Sequence, residues 1–100
     1  MIRHLLLVQF KASAQESDIQ TLLGLFVEIP QKVGGVSAVE WGENDSPEGK
    51  NKQYTHCIFM TFADEAGRQN YLEHPEHEDL KAKFHPILED IVVLDYQPQS

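Results

Sequence analysis

Residues 71–77 (YLEHPEH) bring three groups that hold or transfer protons around one proline. A histidine titrates near neutral pH, and a tyrosine hydroxyl both donates and accepts hydrogen bonds. An unperturbed imidazole, with a pKa of about 6.5, is well matched to removing a proton near pH 7. His77 is therefore the candidate general base, and Tyr71 is the candidate donor to a substrate carbonyl oxygen on which charge develops.

Both residues also have purely structural interpretations. His77 could be a surface histidine near the start of a helix, beside Glu76 and Glu78, and Tyr71 could be a core aromatic. The histidines and carboxylates of residues 73–79 also include the ligand types of a metal site. Their spacing matches no metal-binding motif, and a solvated acidic helix start needs no metal, so we expect none.

Two further histidines, His4 and His56, lie on predicted strands among large apolar neighbours. Each is near the start of its strand, so the two could be close in space and form the walls of a substrate pocket. The alternative is that each is a buried histidine bonded to the backbone. The single cysteine, Cys57, excludes an intrachain disulfide and a multi-cysteine zinc site, and its mid-strand position favours a packing role.

Apolar runs bounded by polar breaks predict the strands that carry these residues. We predict strands at residues 2–10, 36–42, 54–62 and 91–96. Residues 43–53 are rich in Asn, Ser, Gly, Pro and charged side chains, which predicts an exposed loop. The first and third strands are apolar on both faces, which indicates a sheet that is covered on each side.

The first helix is predicted to begin at a capping box formed by Ser13 and Glu16. It should end near Ile29, because Pro30 removes an amide and crowds the preceding turn. Helical spacing predicts one apolar face, made of Ile19, Leu22, Leu23, Phe26 and Val27.

A second helical region carries the candidate pair. Asp64 is the predicted N-cap of a helix that runs through Tyr71, and Pro75 is the predicted first residue of a following helix, with His74 as its cap. We expect Pro86 to interrupt the last part of this region. Its apolar stripe consists of Leu80, Phe84, Ile87 and Leu88.

The predicted order β-α-β-β-α-β is that of an α+β ferredoxin-like sandwich, with helices on one face of a four-stranded antiparallel sheet. Residues 1–100 then form one domain, as the length suggests. Four strands leave the second apolar face uncovered in a monomer, so we predict a homodimer in which two sheets face each other.

Composition limits the partners and the compartment. The net charge is −8, from 16 acidic and 8 basic residues, so nucleic acid and anionic membrane surfaces would be repelled. No apolar stretch has the length of a membrane span, and the N-terminal apolar run is too short for a signal peptide. With one cysteine, the reducing cytoplasm is the expected location.

Four segments together point to a known family: the start His4-Leu5, residues 54–56 (YTH), residues 71–77, and residues 94–96 (LDY). Over nearly its whole length the chain resembles the stress-responsive A/B barrel (Dabb) domain family, whose members are dimeric α/β barrels of ferredoxin-like protomers. The His-Pro-x-His element is the most specific part of this resemblance.

Within that family the chain is most similar to plant polyketide cyclases, which catalyse an intramolecular aldol condensation without a cofactor. The resemblance implies catalytic roles for Tyr71 and His77, places His4 and His56 in the substrate pocket, and implies a small-molecule ligand. One segment departs from the cyclases. Residues 78–81 (EDLK) replace small apolar residues and glycines, so we expect a more acidic pocket mouth.

Two functions remain open at this point. One is a cofactor-independent cyclase or lyase that uses His77 and Tyr71 on a carbonyl metabolite. The other is a non-catalytic dimeric barrel that binds a small molecule or is associated with stress. A pocket that joins His4, His56, Tyr71 and His77 and reaches solvent would favour the enzyme, whereas a filled interior would favour the scaffold.

Overall fold

The computed structural model describes residues 1–99, which form four strands and three helices. The strands are β1 (Ile2–Phe10), β2 (Val36–Glu43), β3 (His56–Phe62) and β4 (Leu88–Tyr96). The helices are α1 (Glu16–Lys32), α2 (Glu65–Glu73) and α3 (Pro75–Phe84), and one turn of 3-10 helix (His85–Ile87) follows α3. None of these helices has the length and apolar character of a membrane span.

The sheet has the strand order β2-β3-β1-β4, and all neighbouring strands are antiparallel. β1 is central, with Leu6 opposite Ile58 of β3 on one side and Val93 of β4 on the other. The helices cover the face to which Leu6 and Ile58 belong. This arrangement confirms the predicted ferredoxin-like α+β fold.

The start of α1 differs from the prediction. Ser13 does not cap the helix; the N-cap is Gln15, and its side chain makes no capping hydrogen bond. Val27, which was predicted to lie on the apolar face, is 44% exposed. The residues of α1 that are buried against the sheet are Ile19, Leu22, Leu23, Phe26 and Ile29.

The end of α1 also differs, because Pro30 lies inside the helix and the helix continues to Lys32. Proline removes only one donor, and the Val33 N–H still donates to the Ile29 carbonyl oxygen at 2.9 Å. The helix thus tolerates the loss of the one hydrogen bond that Pro30 cannot donate near its C-terminal end, because the neighbouring Ile29 side chain is buried.

The junction between α2 and α3 is as predicted. The Asp64 side chain caps α2 by accepting a hydrogen bond from the Gly67 N–H at 2.8 Å. His74 caps α3 in the same way, since its Nδ1 accepts from the Glu76 N–H at 3.1 Å, and Pro75 is the first helical residue. The chain therefore changes direction between Tyr71 and His77.

The last strand begins earlier than predicted. Pro86 lies in the 3-10 turn that interrupts the helical region, as expected. Leu88, however, is the first residue of β4 and pairs with Phe10, whereas the prediction placed it in the helical stripe. β4 thus starts three residues before Ile91, because its pairing with β1 extends the strand to that point.

Two glycines set how closely α2 approaches the end of α1. Gly35 has φ of 92°, a conformation that favours glycine, and an added Cβ there would lie 2.5 Å from the Gly67 Cα. An added Cβ on Gly67 would in turn lie 2.7 Å from the Gly35 carbonyl oxygen. Side chains at either position would push α2, and Tyr71 with it, away from the sheet.

The central part of the sheet face opposite the helices is apolar and is not covered by residues 1–99. Across this outer sheet face, Leu5 lies between Phe59 of β3 and Leu94 of β4. Leu5 and Phe59 are half-buried, and Leu94 is 58% exposed. The prediction of two apolar faces is therefore confirmed for the central strands.

Candidate active site

A cavity of about 290 Å³ lies between the sheet and the helices α2 and α3. It reaches the surface along β4, where the lining residue Val93 is 55% exposed. Most of its wall is apolar, including Leu6, Phe26, Leu80, Phe84 and Ile91. Its polar lining consists of His4, Tyr71, His77, Lys81 and His85. Three of the four predicted site residues therefore meet at one cavity.

His4 lies on the floor of the cavity, on the central strand β1, and is buried. Its Nδ1 is 2.5 Å from Oδ1 of Asp95, the residue opposite it on β4. A carboxylate can only accept, so the proton of this hydrogen bond belongs to Nδ1. The second Asp95 oxygen accepts from Arg68 at 3.3 Å, and Arg68 also pairs with Glu65. This series of hydrogen bonds, from Glu65 through Arg68 and Asp95, fixes the orientation of the His4 ring.

Tyr71 forms the wall between His4 and His77. Its ring centroid is 6.3 Å from that of His4, 5.5 Å from that of Phe62 and 4.5 Å from that of His77. Burial raises the pKa of the Tyr71 phenol, and no hydrogen bond within residues 1–99 opposes this effect. The hydroxyl therefore stays protonated near neutral pH and can donate a hydrogen bond into the cavity.

His77 is half-buried in the first turn of α3, where the His74 cap and Pro75 place it. Its Nδ1 lies 3.1 Å from the Leu72 carbonyl oxygen, which can only accept. Nδ1 thus carries the proton, and the lone pair of Nε2 is left free. Burial is the main cause that lowers the pKa of His77, and the positive charge of Lys81 lowers it further. His77 is accordingly neutral at pH 7 and able to accept a proton.

His56 does not reach this cavity. It lies on the same face of the sheet as His4, but antiparallel pairing sets His4 opposite Met60 and His56 opposite Val8. His56 is therefore displaced from His4 by four residues of β1, which is about 13 Å along the strand. The expectation that His4 and His56 are close because each is near the start of its strand is therefore wrong.

His56 lines a separate pocket at the far end of the sheet. Its Nδ1 is 2.8 Å from the Thr55 hydroxyl. Its Nε2 is buried, has no hydrogen-bond partner within residues 1–99, and lies 3.7 Å from the nearer Glu43 oxygen. The rings of Phe10 and Trp41 pack near it, at 4.9 and 6.2 Å between centroids.

The mouth of the main cavity is not acidic, contrary to expectation. Lys81, one turn after His77 on α3, lines the cavity, and neither Glu78 nor Asp79 does. Glu78 accepts instead from the Lys81 ammonium at 2.9 Å, and this pair holds the pKa of Glu78 below its usual value. Within residues 1–99, moreover, no three His, Cys, Asp or Glu side chains form a group suited to a metal ion.

Comparison with known proteins shows the family of this chain. The model of the stress responsive A/B barrel domain (Dabb) matches residues 2–98. The chain belongs to this family.

Two curated relatives of this Dabb chain are plant proteins. The stress-response A/B barrel domain-containing protein HS1 of Arabidopsis thaliana is 28% identical over 99 residues, which cover 99% of this chain and 91% of the relative. Olivetolic acid cyclase of Cannabis sativa is 24% identical over 99 residues, covering 99% of this chain and 98% of the cyclase.

Solved structures of similar proteins share the same fold. A crystal structure of an Arabidopsis thaliana protein, obtained by ensemble refinement, has a TM-score of 0.94 at 28% identity and covers 100% of this chain and 97% of its own. Hydroxynitrile lyase from Passiflora edulis has a TM-score of 0.88 at 24% identity, and the match covers 95% of this chain and 90% of the lyase. A ferredoxin-like protein from Jannaschia, described as dimeric, has a TM-score of 0.86 at 20% identity, and the match covers 97% of this chain and 98% of that protein.

Two residues that act at this site were not predicted from the sequence patterns: Asp95, which contacts His4 but does not line the cavity, and Lys81, which lines it. Asp95 was part of the family resemblance, but its contact with His4 depends on the register of β4 against β1. Strict alternation along β4 puts Asp95 on the same face as Ile91 and Val93, which agrees with the structure and is the sequence signal that could have found this residue. Lys81 belongs to the segment that was expected to be acidic, although its spacing of four from His77 puts both residues on one side of α3.

Proposed function

We propose that this chain is a cofactor-independent lyase or cyclase that acts on a small carbonyl compound. The observation that carries the proposal is the hydrogen bond from His77 Nδ1–H to the Leu72 carbonyl oxygen, which leaves Nε2 as a free base at the cavity wall. The phenol ring of Tyr71 packs against this imidazole. A neutral base and a protonated donor thus face the same space.

The proposed step is abstraction of a carbon-bound proton next to a carbonyl group. His77 Nε2 takes the proton, the electron pair of the C–H bond moves towards the carbonyl, and the Tyr71 hydroxyl donates a hydrogen bond to the resulting enolate oxygen. The enolate carbon can then attack a second carbonyl carbon of the same molecule, which forms a C–C bond, and the resulting alkoxide takes up the proton held by His77 Nε2. The reverse sequence breaks such a bond and is a lyase reaction.

In this proposal, His4 binds the substrate from the floor of the cavity. Its Nδ1–H is engaged by Asp95, so Nε2 is the nitrogen that is left for a ligand. His56 lies in the separate pocket and has no role in the proposed reaction. The relatives support the reaction class: one is named a cyclase and another a hydroxynitrile lyase.

We propose further that two copies pair through the outer sheet face. Leu5, Phe59 and Leu94 form an apolar row across three strands, which a monomer would leave in contact with water. Similar structures of the same fold are described as dimeric. A second sheet placed against this row would complete an α/β barrel.

Deuterium exchange at the benzylic carbon of phenylacetone, followed by NMR in D2O, tests proton abstraction directly. We expect the protein to accelerate exchange over buffer and His77→Ala to lose a factor of about 10²–10⁴, the usual contribution of a positioned base. His74→Ser is the matched control, because serine also caps a helix and His74 does not line the cavity.

Circular dichroism must show that both variants are folded. An unchanged exchange rate in folded His77→Ala would overturn the catalytic assignment. Wild-type protein that does not accelerate exchange at all would favour the non-catalytic dimeric barrel.

A further inference from the structure

The polar lining of the main cavity has one sign of charge. Its titratable residues are His4, Tyr71, His77, Lys81 and His85, and none of them is a carboxylate. The whole chain, by contrast, has 16 acidic residues and only 8 basic ones. A cavity that exposes donors and a cation in an acidic protein is suited to an anionic ligand.

Lys81 supplies the charge at this lining. It stands four residues after His77 on α3, so the two side chains share one side of the helix. Its long aliphatic stem can lie along the apolar wall while the ammonium group stays at the mouth, in water. The charge of Lys81 is felt at His77, whose protonation it opposes.

The existing partner of Lys81 does not block a ligand. The Lys81–Glu78 pair is exposed on the helix surface, with side chains 47% and 64% accessible. Such pairs contribute little, because both charges are well solvated in their absence. A ligand anion that is seated by the apolar wall can therefore displace Glu78 from the ammonium group.

We propose, resting on the function proposed above, that the substrate is an oxo acid with an aryl or alkyl body. Lys81 binds its carboxylate at the mouth, the apolar body lies against the cavity wall, and the ketone carbonyl reaches Tyr71 and His77. Lys81 is then a specificity-determining residue. The arrangement keeps the carboxylate in water-accessible surroundings, where it stays ionised, and avoids the cost of burying it in the apolar interior.

Calorimetric titration with phenylacetate and phenylacetamide tests this inference without any turnover. The two probes have the same shape and differ in charge. We expect phenylacetate to bind about tenfold more tightly, because a charge-assisted hydrogen bond replaces a neutral one. Lys81→Gln should reduce the affinity for phenylacetate to that for phenylacetamide and leave phenylacetamide unchanged. Lys83→Gln, on the same helix but outside the cavity, should change neither.

Chemical-shift changes at the His77 imidazole must show that the probes enter this cavity. Equal affinities for the two probes, absence of binding by both, or an equal loss for both in Lys81→Gln would each overturn the inference. Failure of the catalytic proposal is seen separately, since it appears in the phenylacetone exchange of His77→Ala and not in these affinities.

Discussion

The imidazole ring of His77 and the phenol ring of Tyr71 have centroids 4.5 Å apart, at an interplanar angle of 42°, although the two residues belong to different helices. Six positions separate them in the chain. They meet because α2 ends at Glu73, and α3 restarts at Pro75 with His74 as its cap. The geometry of the candidate pair is thus set by a local break whose sequence signals are proline and a capping side chain.

Tyr71→Phe separates the packing role of Tyr71 from its role as a donor. The ring contacts with Phe62 and His77 are kept, and the lost hydroxyl has no hydrogen-bond partner within residues 1–99. We expect the free energy of unfolding to change by less than about 1 kcal/mol. Phenylacetone exchange should fall by about 10²–10³, as on loss of one oxyanion donor.

Urea denaturation and the exchange assay measure these two effects. Tyr54→Phe is the control, because Tyr54 bonds Asp90 at the surface, outside the cavity. A Tyr71→Phe variant with wild-type exchange would show that the phenol is only a core aromatic.

The pH dependence of exchange should follow the protonation of His77. Burial is the largest cause that lowers its pKa from 6.5, and the Lys81 charge adds to the effect, so the neutral base is already the main form at pH 6.5. The rate should fall only as the pH drops through this lowered pKa. The unfolded chain binds the proton at the higher, ordinary pKa, so stability too is lost as the pH falls from 6.5 through the lowered value.

Proton–carbon NMR of the histidine rings measures this titration. Lys81→Gln removes one of the opposing charges and should move the pKa of His77 back towards 6.5. A midpoint at or above 6.5 in the wild-type protein would contradict burial as the dominant cause.

Local patterns predicted most of the fold. β1 has its predicted bounds because nine largely apolar residues, Ile2–Phe10, are followed by a polar break. The end of α1 and the start of β4 were wrong because both depend on tertiary context. Pro30 is retained inside α1 because burial of the apolar face of the helix stabilises its last turns. Leu88 becomes a strand residue only through its pairing with Phe10.

The candidate site was predictable where it is local and not where it depends on strand pairing. Tyr71 and His77 belong to one short run whose turn signals are in the sequence, and the structure brings them together at one cavity. The expected proximity of His4 and His56 failed because antiparallel neighbours begin at opposite ends of a sheet. The contact between His4 and Asp95 needed the register of β4, which apolar periodicity does not fix.

Asp95 should contribute to stability through the buried His4. Asp95→Ala leaves the Nδ1–H of His4 without its acceptor, so we expect the free energy of unfolding to fall by about 1–3 kcal/mol. Asp95→Asn retains an acceptor oxygen and should lose less. Asp45→Ala, in the exposed loop, is the control. Urea denaturation of the four proteins decides the matter, and equal stability of wild type and Asp95→Ala would show that the His4 contact contributes nothing.

Close backbone contact at Gly67 should make α2 intolerant of a side chain. A Cβ added there would lie 2.7 Å from the Gly35 carbonyl oxygen, and backbone cannot rotate away. We expect Gly67→Ala to lower the free energy of unfolding by about 1–3 kcal/mol. Gly24→Ala is the matched control in α1, where an added Cβ meets no atom within 4 Å. Alanine should stabilise that helix by about 0.5–1 kcal/mol. Thermal unfolding in which both variants behave alike would contradict the packing argument.

The proposed pairing through the outer sheet face should weaken when this face receives a charge. Leu94 lies beside Leu5 in the apolar row and is 58% exposed in one chain. Leu94→Glu would place a carboxylate from each copy in the paired sheets, so we expect the dimer Kd to rise at least about 30-fold, as for a hot-spot residue worth 2 kcal/mol. Val27→Glu is the matched control, since Val27 is 44% exposed on α1, away from this face. Sedimentation equilibrium at micromolar concentration measures both variants, and a wild-type protein that is monomeric there would contradict pairing through this face.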